Sequence, residues 1–249
     1  MEALLEPLRE LAEIEEIQNE KKKEAGLIQI TGCVGSQKTH LTCALGSDCK
    51  YKLIVTSGES KAKQMYEEYR FLKETVYLYP AKDLLFYHAD LRGKQLVSSR
   101  METIQALLLG EGCTVITTFD AFMDSLLPIE TIRERVFSLK VGDIIDFEKV
   151  QKDLTLLGYE REVQIEGPGQ FAVRGGILDV YPLTEEVPVR IELWDDEIDS
   201  IRTFDVESQR SIENLEEITI YPASEFMDEK TKRVSFLDYF PREDTLLFL

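Results

Sequence analysis

Gln170-Phe-Ala-Val-Arg174-Gly175-Gly176-Ile177-Leu-Asp179-Val-Tyr181 is the stretch that decides how the second half of this chain folds. Two short apolar runs, Gln170–Val173 and Ile177–Tyr181, flank a Gly-Gly pair, and such punctuation predicts a hairpin of two antiparallel strands. Alternation puts Phe171 and Val173 on one face and Gln170, Ala172 and Arg174 on the other. Arg174 then sits where the tight turn lets its side chain project. Taken alone, an arginine there is more simply explained by a salt bridge to a nearby acid such as Asp179 or Glu162. An arginine pair, Arg161 and Arg174, framing a hairpin that carries Phe171 and Tyr181 makes an interface patch, since arginine and aromatic residues are favoured anchors.

Working outward, further short strands are predicted at Glu162–Ile165, Val189–Leu193 and Ile201–Phe204, with a helix over Phe147–Leu157 stopped at Gly158 and a strand at Val136–Leu139. The acidic Trp194-Asp195-Asp196-Glu197 lies between two of these strands and reads as a polar turn, not as a catalytic carboxylate pair. Nothing here alternates helix with strand, so residues 128–212 are expected to form an inserted, antiparallel-rich α+β domain.

Residues 1–127 follow another rhythm. Leu4, Leu8, Leu11, Ile14 and Ile17 recur at helical spacing, with Lys21-Lys22-Lys23 complementing the helix dipole and Gly26 as its stop. Strands at Leu27–Thr31, Lys52–Thr56, Val76–Tyr79 and Cys113–Thr117 alternate with helices at Ser60–Leu72 and from a capping box, Ser99-x-x-Glu102, to Leu109. This is the pattern of an α/β domain with a parallel sheet. Glu217–Tyr221 and Thr245–Leu249 are expected as strands returning to that first sheet within residues 213–249. The apolar ending, Leu-Leu-Phe-Leu, reads as that of an engineered fragment.

Gly32-Cys-Val-Gly35-Ser36-Gln37-Lys38-Thr39 sits between a predicted strand and a predicted helix, the setting of a phosphate-binding P-loop. Lys38 is placed to reach phosphates and Thr39 to hold Mg²⁺, with backbone N–H groups adding anion affinity. Gln37 breaks the pattern, because glycine is required where the backbone passes against phosphate. Hydrolysis also needs a second carboxylate, and only Asp120 stands near a strand end. A degenerate P-loop-like scaffold that binds no nucleotide is the better reading, with no catalytic residue and no cofactor in this chain.

The 249 residues carry 29 Lys+Arg against 47 Asp+Glu, a net charge of -18. Such a surface repels nucleic-acid phosphates. Cys33, Cys43, Cys49 and Cys113 form no C-x-x-C pair and, with only His40 and His88 to join them, predict no metal site. No signal peptide and no apolar run of about 18 residues is present, so a cytoplasmic protein without membrane contact is expected.

The blocks Tyr159-x-Arg161, Pro168-Gly-Gln-Phe-Ala-Val-Arg-Gly-Gly-Ile-Leu-Asp179, Arg190-Ile-Glu-Leu-Trp-Asp-Asp-Glu-Ile-Asp-Ser-Ile-Arg202, Phe204-Asp205, Ser208-Gln-Arg-Ser211 and Pro222-Ala-x-Glu225 resemble the UvrB-homology region at the N-terminus of bacterial transcription-repair coupling factors, the Mfd family. A looser version occurs in UvrB. Gln37, together with a Tyr79–Val97 segment too short and too poor in tyrosine to be the DNA-gripping hairpin of UvrB, favours the coupling factors. One UvrB hairpin arginine corresponds to Ala172.

The resemblance implies an adaptor that recruits UvrA for nucleotide excision repair, with Arg161, Phe171, Arg174 and Tyr181 in the docking hairpin. It implies that the whole protein is an ATP-dependent DNA translocase displacing stalled RNA polymerase. DNA, the polymerase, ATP and Mg²⁺ would be bound by parts outside this chain. The alternative is the nucleotide-binding domain of a UvrB-type damage-recognition ATPase.

Overall fold

The computed structural model describes residues 2–21, 27–72, 75–82, 91–225 and 232–249. In chain order the elements are α1 (Glu2–Arg9), α2 (Ala12–Lys21), α3 (Gln37–Leu45), β1 (Tyr51–Thr56), α4 (Glu59–Leu72), β2 (Val76–Tyr79), α5 (Leu91–Leu109), β3 (Cys113–Thr118) and α6 (Phe119–Phe122). There follow β4 (Ser125–Leu126), α7 (Ile129–Arg133), β5 (Phe137–Lys140), α8 (Phe147–Leu156), β6 (Glu160–Glu162), β7 (Gln170–Arg174) and β8 (Ile177–Tyr181). The last are β9 (Val189–Trp194), β10 (Glu197–Phe204), β11 (Ser211–Leu215), β12 (Glu217–Ile220), β13 (Val234–Ser235) and β14 (Thr245–Phe248).

Two compact units result, one of residues 1–82, 109–124 and 235–249, the other of 83–108 and 125–234. The first holds a parallel four-stranded sheet in the order β14-β1-β3-β2. β3 is buried along its whole length and β1 along all but its last residue, the pattern of strands covered on both faces. One face packs Ile54, Val76 and Ile116 against Leu5, Cys43, Ala62, Tyr69 and Leu72 of the helices. The other carries an aromatic cluster in which Tyr79 stacks on Phe236 at 3.8 Å and Tyr51 meets Phe240 edge-on at 6.2 Å.

Three expectations for the first half need correction. Residues 27–34 form neither strand nor helix, and Leu27, Ile28 and Ile30 are exposed. An isolated apolar run leaves its backbone groups unpaired, and no described strand offers Leu27–Thr31 a partner. The N-terminal periodicity is realised as two helices instead of one; Lys22, Lys23 and the Gly26 stop lie outside the described residues. Ser99 does not open α5 but sits in its middle. Its carbonyl accepts from the Thr103 hydroxyl at 2.9 Å, while the Ser98 hydroxyl donates to Glu102 at 2.9 Å. The Ser98 hydroxyl also lies 3.1 Å from the Leu183 carbonyl, outside the helix.

The second unit is built on a six-stranded sheet in the order β11-β10-β9-β8-β7-β6. It is antiparallel except for the β6–β7 pair. Phe171, Leu178, Val180, Ile191, Ile198 and Ile201 form its buried face, against which α8 sets Val150 and Leu154. Asp146 caps α8, its carboxylate accepting from Lys149 N–H at 3.0 Å. Gly158 ends the helical run at φ +87°, where a Cβ would lie 2.0 Å from the Ser224 hydroxyl. Only glycine satisfies both demands.

Here too the structure differs from the sequence reading at specific places. β6 covers Glu160–Glu162, not Glu162–Ile165, because Ile165 turns inward to pack with Ala172 and Phe204. β10 starts at Glu197, four residues earlier than expected, with a register shift between Ile198 and Ser200. β11 carries no apolar alternation and was not anticipated. β12 does not return to the first sheet; it pairs antiparallel with β5 and lends Ile218 and Ile220 to the second core. β14 does return, parallel to β1.

Candidate docking face

Strand alternation leaves the face opposite Phe171 free of α8. Cα register runs across it as Glu162–Ala172–Asp179–Arg190–Arg202–Asn214, one residue from each of the six strands. Asp179 is the centre of that row, its side chain 1% exposed. A carboxylate so buried is stable only when its charge is met by hydrogen-bonding cations.

Arg190 grips it with a two-pronged fork, Nε at 2.7 Å from one oxygen and a terminal nitrogen at 2.9 Å from the other. Arg174 reaches the second oxygen at 2.6 Å from the end of β7. Arg190 is itself fixed on two further sides, by Gln209 Oε1 at 2.7 Å and by the Phe204 ring, 4.2 Å from its guanidinium carbon. The hydrogen bond to Asp179 is the leading cause that holds the Arg190 guanidinium above its usual pKa. Two guanidinium groups share one carboxylate, so the cluster keeps a positive charge. Arg174, with 42% of its side chain exposed, presents that charge to solvent. Beside it Arg202 pairs with Glu192.

A loop positions the Gln209 contact. Asp205 accepts from Ser208 N–H at 2.8 Å, and the Ser208 hydroxyl, followed by that backbone bond, holds the Asp205 carboxyl below its usual range. Gln209 follows at φ +58°, a left-handed conformation that aims its amide at Arg190. Arg190 and Gln209 escape the sequence reading. For Arg190 a signal existed: alternation along Val189–Leu193 puts it on the face that Asp179 shares. For Gln209 no sequence signal reveals the loop conformation.

The four hairpin candidates do not form one patch. Phe171 is wholly buried in the core beneath α8, where its burial contributes about 1.5–3 kcal/mol, so it stabilises the sheet and is not a surface contact. Tyr181 is half-buried beside Ile165, Ala172 and Phe204, its hydroxyl donating to Glu186 O at 2.8 Å; burial raises its pKa. Arg161 is exposed on the edge strand β6 and makes no ion pair with a described residue. Its register partner is Phe171, so Arg161 belongs to the face opposite Arg174. Tyr159, from the same block, is structural: it is buried, and its hydroxyl donates to Tyr221 O at 3.0 Å.

The glycine loop of the first unit is closed by its own side chains. Gly32 and Gly35 take positive φ of +86° and +53°. Gln37 opens α3 and turns its side chain back, so that Oε1 accepts from Val34 N–H at 2.9 Å. That N–H is of the kind a P-loop aims at phosphate. The Thr39 hydroxyl, the expected Mg²⁺ ligand, donates instead to Glu68, and Ser36 provides no side-chain cap. Lys38 and Asp120 are exposed. With no strand ahead of the loop among the described residues, the expected P-loop setting is not formed there. Among the described residues no three His, Cys, Asp or Glu side chains gather as metal ligands, and no helix is long and apolar enough to cross a membrane.

Residues 137–226, which hold this charged row, match the UvrB interaction domain family. Over 215 residues the chain is 34% identical to the transcription-repair-coupling factor of Bacillus subtilis (strain 168), covering 84% of this chain and 18% of that protein. The corresponding protein of Staphylococcus epidermidis (strain ATCC 35984) is 36% identical over 203 residues, 80% of this chain and 17% of the relative. That of Staphylococcus aureus (strain MRSA252) is 40% identical over 154 residues, 62% and 13% respectively. The chain thus spans less than a fifth of the length of these relatives. Over most of its length the chain is similar to part of the transcription-repair-coupling factors, and its second unit contains the match to the UvrB interaction domain family.

Proposed function

We propose that this chain is the UvrB-like adaptor module of a transcription-repair coupling factor and that it recruits UvrA through the charged face of its second unit. One observation carries the reading: within the UvrB interaction domain, the buried Asp179 holds Arg174 and Arg190 in fixed positions while Arg174 stays open to solvent. A guanidinium already immobilised loses little freedom on binding, and such arginines are the residue type that dominates docking energetics. In the parent protein, ATP-driven DNA translocation and displacement of RNA polymerase belong to parts outside this chain. The chain itself acts as a binding module without nucleotide, in keeping with the Gln37 contact that occupies the glycine loop.

Purified UvrA captured on immobilised chain tests this, with Arg174→Ala and Arg161→Glu alongside. Arg174→Ala weakens capture at least tenfold, the loss of a central arginine anchor being worth about 2 kcal/mol or more. Arg161→Glu, on the opposite face at the sheet edge, reports whether the contact wraps around β6. Wild-type capture by both variants, each folded by circular dichroism, places the docking site elsewhere.

A further inference from the structure

On the sheet's other face lies a second surface with distinct chemistry, a groove of about 550 Å³ beside the edge strand β11. Its floor is apolar: Val189, Leu215 and Ile218 belong to the core packed under α8. That places the groove opposite Arg174 and Asp179. Ile212 of β11 forms a wall and is 60% exposed. The rim is acidic, with Glu185, Glu186 and Glu213 exposed around the apolar floor. None of the three forms an ion pair with a described residue, and no Lys, Arg or His lines the groove. Burial raises the pKa of Glu185, the mark of a partly desolvated carboxylate without a counter-charge.

β11 is also an open edge. It pairs with β10 on one side and with no described strand on the other. The backbone of Glu213 faces inward, its N–H donating to the Thr203 hydroxyl at 3.1 Å and its carbonyl accepting from that hydroxyl at 3.5 Å. β11 carries one extra residue opposite Thr203, since Arg202 pairs with Asn214 and Phe204 with Ser211, so alternation carries from Glu213 to Asn214, whose N–H and C=O groups face the open side. An edge of this kind is a template for another strand, and the three carboxylates select its charge. A second copy of this chain, with net charge -18, is repelled.

We propose that β11 and its groove bind a short extended segment of a partner protein whose groove-facing side chains are apolar at its centre and cationic at its ends, added to the sheet as a seventh strand. Backbone hydrogen bonds to Asn214 hold the segment. Its central apolar side chains fill the groove, and the cations that flank them on the same face meet Glu185, Glu186 and Glu213.

Fluorescence anisotropy of a labelled Lys-Ser-Val-Ser-Val-Ser-Lys peptide with the whole chain tests this, using the same peptide N-methylated at every backbone amide as a probe of equal charge that cannot donate backbone hydrogen bonds. The expected result is saturable binding of the unmethylated peptide only, weakened at least tenfold in Glu213→Lys, with amide shifts in 15N spectra centred on Asn214. Circular dichroism verifies that the variant is folded. No saturable binding, equal binding of the methylated peptide, an unaffected Glu213→Lys, or shifts centred on another surface each overturns the proposal.

Discussion

Replacing Asp179 with alanine removes a carboxylate that is 1% exposed and accepts three hydrogen bonds, two from Arg190 and one from Arg174. Arg174 relaxes into solvent. Arg190 cannot, because its side chain is only 13% exposed and it lies over Phe204 with Gln209 as its remaining side-chain hydrogen-bond partner. Breaking a buried pair so that one charge stays uncompensated costs about 3–5 kcal/mol. Arg174→Ala leaves the Asp179–Arg190 fork intact and removes one bond from a side chain 42% exposed, so about 1 kcal/mol is expected. Hydrogen exchange of peptides spanning β8–β10 separates the two. At about 1.4 kcal/mol per factor of ten, Asp179→Ala lowers protection by about a hundredfold to a few thousandfold, and Arg174→Ala by less than about tenfold. A triple replacement by apolar residues, Arg174→Met with Asp179→Leu and Arg190→Met, restores most of the protection while abolishing UvrA capture, since a buried ion cluster and a well-packed apolar one are close in stability. Protection in Asp179→Ala within tenfold of wild type refutes the view that this carboxylate organises the face.

Two further outcomes follow from groups in the first unit. Burial pushes the Cys113 thiol up to about 12, and Cys43 is wholly enclosed, whereas Cys33 and Cys49 are half-buried; at pH 8 a thiol reagent therefore labels Cys33 and Cys49 rapidly and the other two only after unfolding, and rapid labelling of Cys113 contradicts this packing. Calorimetry with ATP and Mg²⁺ shows no saturable heat, because Gln37 occupies the Val34 N–H and Glu68 the Thr39 hydroxyl; micromolar binding abolished by Lys38→Ala refutes that account of the loop.

The parts of the fold legible in the sequence are those decided by local chemistry. Gln170–Tyr181 declares a hairpin because a period of two is interrupted by Gly175-Gly176, and Gly158 declares a helix end because its φ of +87° suits glycine. Leu27–Thr31 has the composition of a strand and fails to become one for want of a partner, a fact held by the rest of the chain. β11, Ser-Ile-Glu-Asn-Leu, carries too few apolar residues to announce itself, because an edge strand with most of its side chains in water needs none.

The candidate site was legible to the same limit. The role of Arg174 as a partner of Asp179 follows from alternation within one hairpin, and the bland salt-bridge reading of that arginine is what the structure contains. The pairing of Arg174 with Arg161 does not follow, because it requires the register between β6 and β7. That register sets Arg161 opposite Phe171, and in a pleated sheet a shift of one residue moves a side chain to the other face. Two arginines that look like one patch in sequence therefore lie on different faces. Arg190, two strands away from Arg174 in the order β7-β8-β9, completes the cluster in its place. Register also gives the unit two chemically opposite surfaces. The outward-facing row gathers guanidinium groups around Asp179, while the groove beside β11 gathers carboxylates around an apolar floor. A partner drawn to one is disfavoured at the other, so the two faces can engage different proteins at once without competing for charge.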